Sequence, residues 1–323
     1  MSQSFDLKAY VSAAGFIADR AVFALGDGRV VFEGGVEHPA HAGAVLCAAL
    51  DPGGRALLTG GDDGRLVRTT PEGGEVVADL GSAWIDAIAA SPASGLIAFA
   101  AGRDVHVRDV RDPAFARTFG HERSVAGLAF EPKGRRLACA TYGGAALWFA
   151  RIAEQKPVLL RWAGSHIAAL FSPAGRFLVS AMQENAPHGW RLSDGKDMRM
   201  GGYPAKPKSL VFLSKGALMA TSGAHGAVLW PFTGAQGPMG REANQLGYDE
   251  STRTTVVAAA PGATRLSAGL EDGRVWTADV TASDLRHLKA EKGAPISALA
   301  VSADGRRLAW GDEDGGAGVV ALG

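Results

Sequence analysis

The chain has 323 residues, of which 47% are hydrophobic and 20% are charged, so it can bury a large core, and disorder is excluded. Lysine plus arginine and aspartate plus glutamate number 33 each, which leaves no basic surplus to drive binding to nucleic acid. The chain has no apolar run of about 18 residues, and its first residues, MSQSFDLKAYVSAAGF, lack the pattern of a signal peptide. We therefore expect a cytoplasmic protein that binds neither nucleic acid nor membrane.

One plan of strands and turns recurs along the chain. It is visible in LDPGGRALLTGGDDGRLVR from Leu50, FEPKGRRLACATYGGAALW from Phe130, FSPAGRFLVSAMQENAPHGW from Phe171 and VSADGRRLAWGDEDGGAGVV from Val301. In three of these stretches the first turn places a proline shortly before a glycine, and second turns along the chain carry Asp-Gly or Gly-Gly, which close tight hairpins. Each unit is therefore predicted to contain three antiparallel strands.

The repeat period is close to that of one propeller blade. Successive units begin at Val45, Ile85, Val125, His166, Pro207, Thr254 and Ile296, which are separated by 40, 40, 41, 41, 47 and 42 residues. A weaker unit near Tyr10 brings the candidate repeats to eight, and seven blades is the alternative.

A fourth, outer strand is available between the units. The segments are GEVVADL, FARTF, KPVLLRW, KDMRM and DLRHL, whereas the last unit ends at Leu322 without one. The opening segment SFDLKAY is predicted to supply the missing strand, through residues near Phe5 to Tyr10. Pairing the two ends of the chain would close the ring and leave no long free edge.

The spacing, the Gly120-His121 pair before a strand, the SPxGR turns and the Asp-Gly hairpins resemble those of the WD-repeat β-propeller family, in a divergent bacterial form. The resemblance covers nearly the whole chain. It implies an all-β fold, with residues 1–323 forming a single closed β-propeller of four-stranded antiparallel blades.

The sequence departs from the family pattern at the Trp-Asp pair that should end each third strand. Arg68-Thr69 and Arg108-Asp109 stand there in two units, and Trp-Phe, Trp-Arg, Trp-Pro and Trp-Thr in four others. The family's buried network of His, Ser or Thr, Asp and Trp is therefore incomplete in most units. In the second unit, His41, Thr59 and either Asp62 or Asp63 are expected to form part of it.

Four tryptophans and both cysteines are predicted to lie in the core. The equivalent third-strand positions are Trp148, Trp190, Trp230 and Trp276. Cys47 and Cys139 alternate with apolar residues and are too few for a disulfide framework, so they are expected to be buried, unreactive thiols. Trp84 and Tyr142 break the pattern, because they occupy a loop and a turn where other units have no aromatic residue.

Catalytic signatures do not emerge from the sequence. GxSxG, P-loop and HExxH motifs are missing, and the glycine-rich turns lead into strands. We therefore expect a protein that is not an enzyme and needs no cofactor. An alternative remains open, in which His166, His188, His225 and Glu184 meet in the central funnel and bind zinc.

The stretch from Ala181 to Lys208, AMQENAPHGWRLSDGKDMRMGGYPAKPK, contains a cluster of polar residues. Gln183, Glu184 and Asn185 fall in the turn between the second and third strands of their unit. The candidate partner-binding residues are Gln183, Glu184, Asn185, Tyr203, Lys206, Lys208, Trp84, Tyr142 and His166. The turn is longer than folding requires, which is typical of a contact patch. The alternative is a surface ion pair between Glu184 and a lysine, together with an asparagine that caps a turn.

Two functions are consistent with these patterns. The first is a non-catalytic scaffold that binds a protein or peptide on the loop face of a monomeric propeller, which is what the family resemblance implies. The second is an enzyme, or a propeller that binds a metal or small ligand in its central funnel. Resemblance to bacterial propellers further implies a metal-handling GTPase as the protein partner.

Overall fold

The computed structural model describes residues 2–282 and 284–322. Apart from one 3₁₀ turn at Ser214–Gly216, the regular elements of these residues are strands. The strands are β1 Ser2–Asp6, β2 Val11–Ile17, β3 Arg20–Leu25, β4 Arg29–Phe32, β5 Glu37–Pro39, β6 Val45–Leu50, β7 Leu57–Gly61, β8 Arg65–Thr70, β9 Gly73–Asp79, β10 Ala87–Ser91, β11 Leu96–Ala101, β12 Asp104–Asp109, β13 Asp112–Gly120, β14 Val125–Phe130, β15 Arg136–Phe149, β16 Val158–Phe171, β17 Phe177–Met182, β18 His188–Arg191, β19 Asp197–Arg199, β20 Leu210–Leu213, β21 Leu218–Thr221, β22 Ala227–Pro231, β23 Asn244–Leu246, β24 Thr254–Ala258, β25 Arg265–Leu270, β26 Val275–Asp279, β27 Arg286–Lys289, β28 Ile296–Val301, β29 Arg307–Asp312 and β30 Gly316–Ala321.

The strands form a β-propeller, as predicted. Repeat 1 is β2-β3-β4-β5, repeat 2 is β6-β7-β8-β9 and repeat 3 is β10-β11-β12-β13, each an antiparallel sheet ordered from the innermost strand outwards. Repeat 6 is β20-β21-β22-β23, and repeat 7 is β24-β25-β26-β27. The predicted outer segment GEVVADL lies within β9 except for its last residue, Leu80, and FARTF lies within β13.

Repeats 4 and 5 share one six-stranded sheet, β14 to β19. Strand β15 doubles back on itself, since the N–H of Ala150 just beyond it donates to the carbonyl of Arg135 just before it, at 2.9 Å. Residues 158–161 of β16 pair with β15 as the outermost strand of repeat 4, and residues 166–171 pair with β17 as the innermost strand of repeat 5. The eight candidate repeats of the sequence therefore occupy seven continuous sheets, the number given by the seven-blade alternative.

The last sheet joins the two ends of the chain. Repeat 8 is β28-β29-β30, and β1 completes it by pairing antiparallel to β30, with Phe5 opposite Ala317. The hydroxyl of Ser297 on β28 donates to the carbonyl of Val11 on β2 at 2.7 Å, which links repeat 8 to repeat 1. The predicted closure is confirmed, although the closing strand is Ser2–Asp6, slightly earlier than the Phe5 to Tyr10 segment expected.

The turns explain why the chain reverses where it does. In repeat 2, a carboxylate oxygen of Asp51 accepts the backbone N–H groups of Arg55 and Ala56 at 2.7 and 3.2 Å, which holds the DPGGR turn. Gly64 closes the next turn with φ of +76°, and a Cβ there would overlap the carbonyl oxygen of Gly81. Glycine is therefore required at this position by both backbone conformation and space.

The core lies between neighbouring repeats. The third-strand tryptophans are buried as predicted, at Trp148, Trp190, Trp230 and Trp276. The ring of Trp148 in repeat 4 stacks on Phe119 of repeat 3, with 4.6 Å between centroids. Cys139 is fully buried as expected, whereas Cys47 is only partly buried, because its strand lines the inside of the ring.

Candidate partner-binding face

One face of the ring, called here the top face, is built from two sets of segments. The first set is the turns between second and third strands, and the second is the connections from an outermost strand to the next repeat. They touch in successive repeats: Ala40 donates to the carbonyl of Gly28 at 3.0 Å, and Leu80 donates to that of Gly64 at 2.9 Å. The opposite ends of the strands form the bottom face.

Exposed aromatic side chains concentrate on the top face. Tyr10, Trp84, Tyr142 and Tyr248 are 45%, 61%, 64% and 62% exposed, and all four lie in top-face turns or connections. Phe149, also exposed, lies at the bottom end of its strand. The sequence singled out Trp84 and Tyr142, but it did not single out Tyr10 or Tyr248. Tyr10 and Tyr248 occupy the same kind of connection as Trp84, so the expectation that other units have no aromatic residue there was wrong.

The predicted polar cluster of repeat 5 is present, with different partners from those expected. Gln183 accepts a hydrogen bond from the ammonium of Lys206 at 2.7 Å. Glu184 accepts the backbone N–H of Ser165 through both carboxylate oxygens, at 2.9 and 3.2 Å, so the Glu184–lysine ion pair considered above is not formed. Asn185 adopts a positive φ of 47°, which asparagine tolerates better than most residues. The cluster is thus a rigid turn linked to the next connection.

Lys208 lies at the mouth of the central channel. It lines an opening of about 490 Å³ together with Tyr10, Arg253, Glu271 and Glu313, on repeats 6 to 8 and the connection into repeat 1. The guanidinium of Arg253 binds Glu271 through two hydrogen bonds of 2.8 and 2.6 Å. Burial, with the nearby Glu313 carboxylate, raises the pKa of Tyr10. The mouth therefore presents both signs of charge beside an aromatic ring.

Tyr203 and His166 must be removed from the partner-binding set, because both are buried. The hydroxyl of Tyr203 bonds to that of Thr221 at 2.6 Å and accepts the indole N–H of Trp230 at 2.6 Å. Burial raises the pKa of Tyr203 to about 12. His166 bonds through Nδ1 to the hydroxyl of Ser180 at 2.7 Å. Both side chains stabilise the inside of a repeat.

These contacts are variants of one buried network. In repeat 2, His41 bonds to the Thr59 hydroxyl and to an Asp63 carboxylate oxygen, both at 2.9 Å. This is the expected network, and of the two acids left open, Asp62 and Asp63, it uses Asp63. Burial raises the pKa of Asp63, but hydrogen bonds from His41 and two backbone N–H groups outweigh it, and the net pKa is lowered. In repeat 6, Tyr203 takes the place of the histidine. Tyr203 lies four residues before the start of its unit, as His41 does, whereas His166 lies at the start itself; the repeats therefore build this network from different residue types and, in repeat 5, from a different position.

The alternative zinc ligands do not meet. His225 bonds to the carbonyl of Thr252 at 2.9 Å, and Glu184 is used as described above. His188 is fully buried and stacks on Trp162 with 4.1 Å between ring centroids, and neither ring nitrogen has a hydrogen-bond partner. Across residues 2–282 and 284–322, no three His, Cys, Asp or Glu side chains are arranged to hold a metal ion.

None of the helical segments in the described part of the chain is both long enough and apolar enough to cross a bilayer.

Comparisons with known proteins agree with the fold. The family model for the WD domain, G-beta repeat, matches residues 35–67, which include most of repeat 2. The crystal structure of the computationally designed Ika8 protein is similar over 98% of each chain, with 18% identity and a TM-score of 0.78. The β-propeller domain of Cps50 (Swd1) from Myceliophteria thermophila is similar over 86% of this chain and 97% of that one, with 14% identity and a TM-score of 0.68. No curated protein sequence matches.

Proposed function

We propose that this WD-repeat β-propeller is a non-catalytic scaffold that binds a protein partner on its top face. The observation that carries the proposal is the concentration of exposed aromatic side chains, since Tyr10, Trp84, Tyr142 and Tyr248 all lie there. Tyrosine and tryptophan are the residues most enriched among the anchors of protein interfaces. WD-repeat propellers commonly mediate protein interactions, which supports the proposal by analogy of fold.

The polar groups of the top face suit the same role. Gln183 and Lys206 are bonded to each other across two segments, so a partner meets a preorganised pair rather than free side chains. Glu184, held by Ser165, fixes the turn that carries Gln183. Lys208 adds a charge at the channel mouth. Aromatic anchors surrounded by ordered polar groups are the arrangement found in specific interfaces.

The identity of the partner belongs to the proposal. We propose a metal-handling GTPase as the partner, on the basis of resemblance to divergent bacterial propellers, with a monomeric propeller acting in the cytoplasm. A purified candidate GTPase should then bind the propeller in solution, with and without nucleotide. Lack of binding by such GTPases, alongside capture of another partner, would reject this identity and keep the scaffold role.

The test of the scaffold role compares two faces of one ring. The variant Trp84→Ala/Tyr142→Ala/Tyr248→Ala truncates three top-face anchors, and Phe149→Ala/Ile152→Ala truncates exposed side chains at the bottom. Each tagged variant captures proteins from extract of the native cells, with quantitative mass spectrometry as the readout. Loss of an anchor commonly costs 2 kcal/mol or more, so captured partner should fall at least about tenfold for the top variant only.

A second variant addresses the polar cluster. Glu184→Ala/Lys206→Ala should lower the melting temperature little, because exposed polar contacts contribute about 0 to 1 kcal/mol, while partner capture falls. Equal capture by the wild type and both top-face variants, with all proteins folded by circular dichroism, would reject the top face as the binding surface.

A further inference from the structure

A groove lies on the top and outer part of repeat 4, beside repeat 3. We call it the repeat 4 groove. Its volume is about 410 Å³. It is lined by His121 and Arg123 on one side, and by Tyr142, Ala146, Leu159 and Arg161 on the other. One wall thus belongs to the connection from repeat 3, and the other to the outer strands of repeat 4.

Small residues in the third strand open this groove. Aligning Trp148 with Arg68 and Arg108 places Ala146 where repeat 2 has Leu66 and repeat 3 has His106. The floor beneath is firm, because Trp148 stacks on Phe119 and its indole N–H donates to His121 at 3.0 Å. A rigid aromatic floor under an open space favours an apolar side chain from another molecule.

The walls carry positive charge that the fold does not use. Arg123, Lys156 and Arg161 are exposed, and none has an ion pair or a side-chain hydrogen bond within the described residues. Glu122 is the single carboxylate among the lining residues. Some arginines outside the groove are paired, as Arg274 is with Asp249 at 2.6 Å, and others are not; what distinguishes this groove is that three unpaired cations line one cavity. The groove therefore has a net positive charge and calls for an anionic ligand.

The outer wall is also a free strand edge. Residues 158–161 pair with β15 only, from Val158 opposite Leu147 to Arg161 opposite Gly144. Leu159 and Tyr142 are exposed on this wall. A free edge offers main-chain hydrogen bonds to an extended peptide, while neighbouring side chains select what it carries.

We propose that the repeat 4 groove binds an extended acidic segment of a partner protein, with one bulky apolar side chain seated over Trp148. This inference rests on the proposed scaffold function and adds a second contact to it, which shares only Tyr142 with the top-face anchors. Arg123, Lys156 and Arg161 pair with the acidic side chains, while Tyr142 and Leu159 cover the apolar one. Nucleic acid fits less well, because Glu122 stands in the groove and the whole chain carries no net charge.

The test measures peptide binding by fluorescence anisotropy. The probe is a labelled peptide of about ten residues, with aspartate and glutamate around a central phenylalanine; matched peptides replace the acids by lysine or the phenylalanine by serine. The acidic peptide should bind at least about tenfold more tightly than either matched peptide, and more weakly as salt rises. Equal binding of the lysine peptide, or tighter binding of a labelled single-stranded oligonucleotide, would overturn the proposal.

Charge reversal locates the site. Arg123→Glu/Arg161→Glu should weaken binding of the acidic peptide at least about tenfold. The matched control, Lys133→Glu/Arg135→Glu, makes the same charge change on the bottom face and should have no effect. Equal weakening by both variants would mean that overall charge, not this groove, binds the peptide, and would overturn the proposal.

Two further variants separate folding and the top-face function from the groove. Ala146→Leu introduces the side chain that repeat 2 has at the equivalent position, Leu66, and should therefore fill the groove. It should weaken peptide binding about as much as the Arg123→Glu/Arg161→Glu variant does, while the protein still unfolds in a cooperative melting transition. Trp84→Ala/Tyr248→Ala should keep full peptide binding while it loses the top-face partner. If the peptide binds as tightly to Ala146→Leu as to the wild type, the groove proposal fails while the top-face proposal stands.

Discussion

Repeats 2 and 4 share one plan, yet they use the residues of their top turns in opposite ways. In repeat 2, the turn supplies Asp63, which binds His41 and the backbone N–H of Ala42. In repeat 4, the corresponding turn contains Tyr142, whose ring is exposed. The repeat 4 connection carries Arg123, which has no ion pair in the described part of the chain.

The difference shows how a repeat divides its polar groups between folding and recognition. In repeat 2, the aspartate in the turn binds the histidine, and the two complete a hydrogen-bond network inside the repeat. In repeat 4, His121 instead accepts the indole N–H of Trp148 and bonds to the carbonyl of Arg103, and the turn and connection are free to contact another molecule. Departures from the repeat pattern therefore indicate where a partner could bind.

The largest expected effect tests the internal network of repeat 2. His41→Ala leaves the buried Thr59 hydroxyl and the Asp63 carboxylate without their partner, which should lower the free energy of unfolding by about 2 to 4 kcal/mol. Urea denaturation followed by circular dichroism measures it. The control is Tyr142→Ala, which should change stability by less than about 1 kcal/mol. An equal decrease in the free energy of unfolding of the two variants would show that the turn of repeat 4 stabilises the fold as much as the network of repeat 2 does.

Repeat 5 extends the comparison to a buried histidine, His188, whose ring nitrogens make no hydrogen bond, although Nε2 lies 3.5 Å from a carboxylate oxygen of Asp197. Burial, with the nearby charges of His166 and Arg199, lowers the pKa of His188 to about 3 from an unperturbed value of 6.5. Between these values the unfolded chain binds a proton that the folded chain does not, so stability is present above pH 6.5 and is lost as the pH falls. The loss should reach about 2 kcal/mol between pH 7 and pH 5.

His188→Phe should remove that acid sensitivity and keep the stacking on Trp162. Urea denaturation at several pH values measures the slope of stability with pH. His287→Phe, at an exposed position, is the control and should leave the slope unchanged. A His188→Phe variant with the wild-type slope would show that His188 titrates normally in the folded protein.

A smaller effect is expected from the tyrosine that replaces histidine in repeat 6. Tyr203→Phe removes the hydroxyl that joins Thr221 and Trp230, which should cost about 1 to 3 kcal/mol. Tyr248→Phe, at an exposed site, should cost almost nothing. Thermal unfolding of the two variants measures these changes in stability. If Tyr203 only fills space, and its hydroxyl is not part of a network like that of repeat 2, Tyr203→Phe should leave the stability unchanged.

The smallest effect concerns the single cysteine of each of the two compared repeats. Burial, with the nearby charge of Asp86, raises the pKa of Cys47 in repeat 2 to about 12, and burial raises that of Cys139 in repeat 4. Both thiols should therefore stay unreactive toward a thiol reagent at pH 8 until denaturant is added. Rapid labelling of native Cys139→Ser protein, in which Cys47 remains, would contradict this for the partly buried thiol.

The propeller could be predicted because its signals are local. The DPGGR turn and the glycine of the following hairpin specify strand ends within a few residues, and the repeat period then gives the ring. The contact of His41 with Thr59 and an acid was implied by the resemblance to WD-repeat propellers, which left Asp62 or Asp63 open as the acid. The closing strand could also be predicted, since the last repeat had no outer strand of its own.

The surfaces were harder to predict because they depend on which distant segments meet. Tyr203 looked like a rim residue beside two lysines, but its ring occupies the inward position of a missing histidine. The repeat 4 groove is lined by Arg123, from the connection that leaves repeat 3, and by Arg161, from the outermost strand of repeat 4. No spacing in the sequence indicates that Ala146 leaves room between them.

The pairing of β1 with β30 has a consequence for synthesis on the ribosome. Ser2–Asp6 is made before the other strands of the propeller, but its partner Gly316–Ala321 emerges only after all of them. The early repeats can pair their own strands locally, while the first strand waits as an unprotected edge. Ring closure therefore joins the most distant parts of the chain, and the slowest folding step should be the one that completes repeat 8.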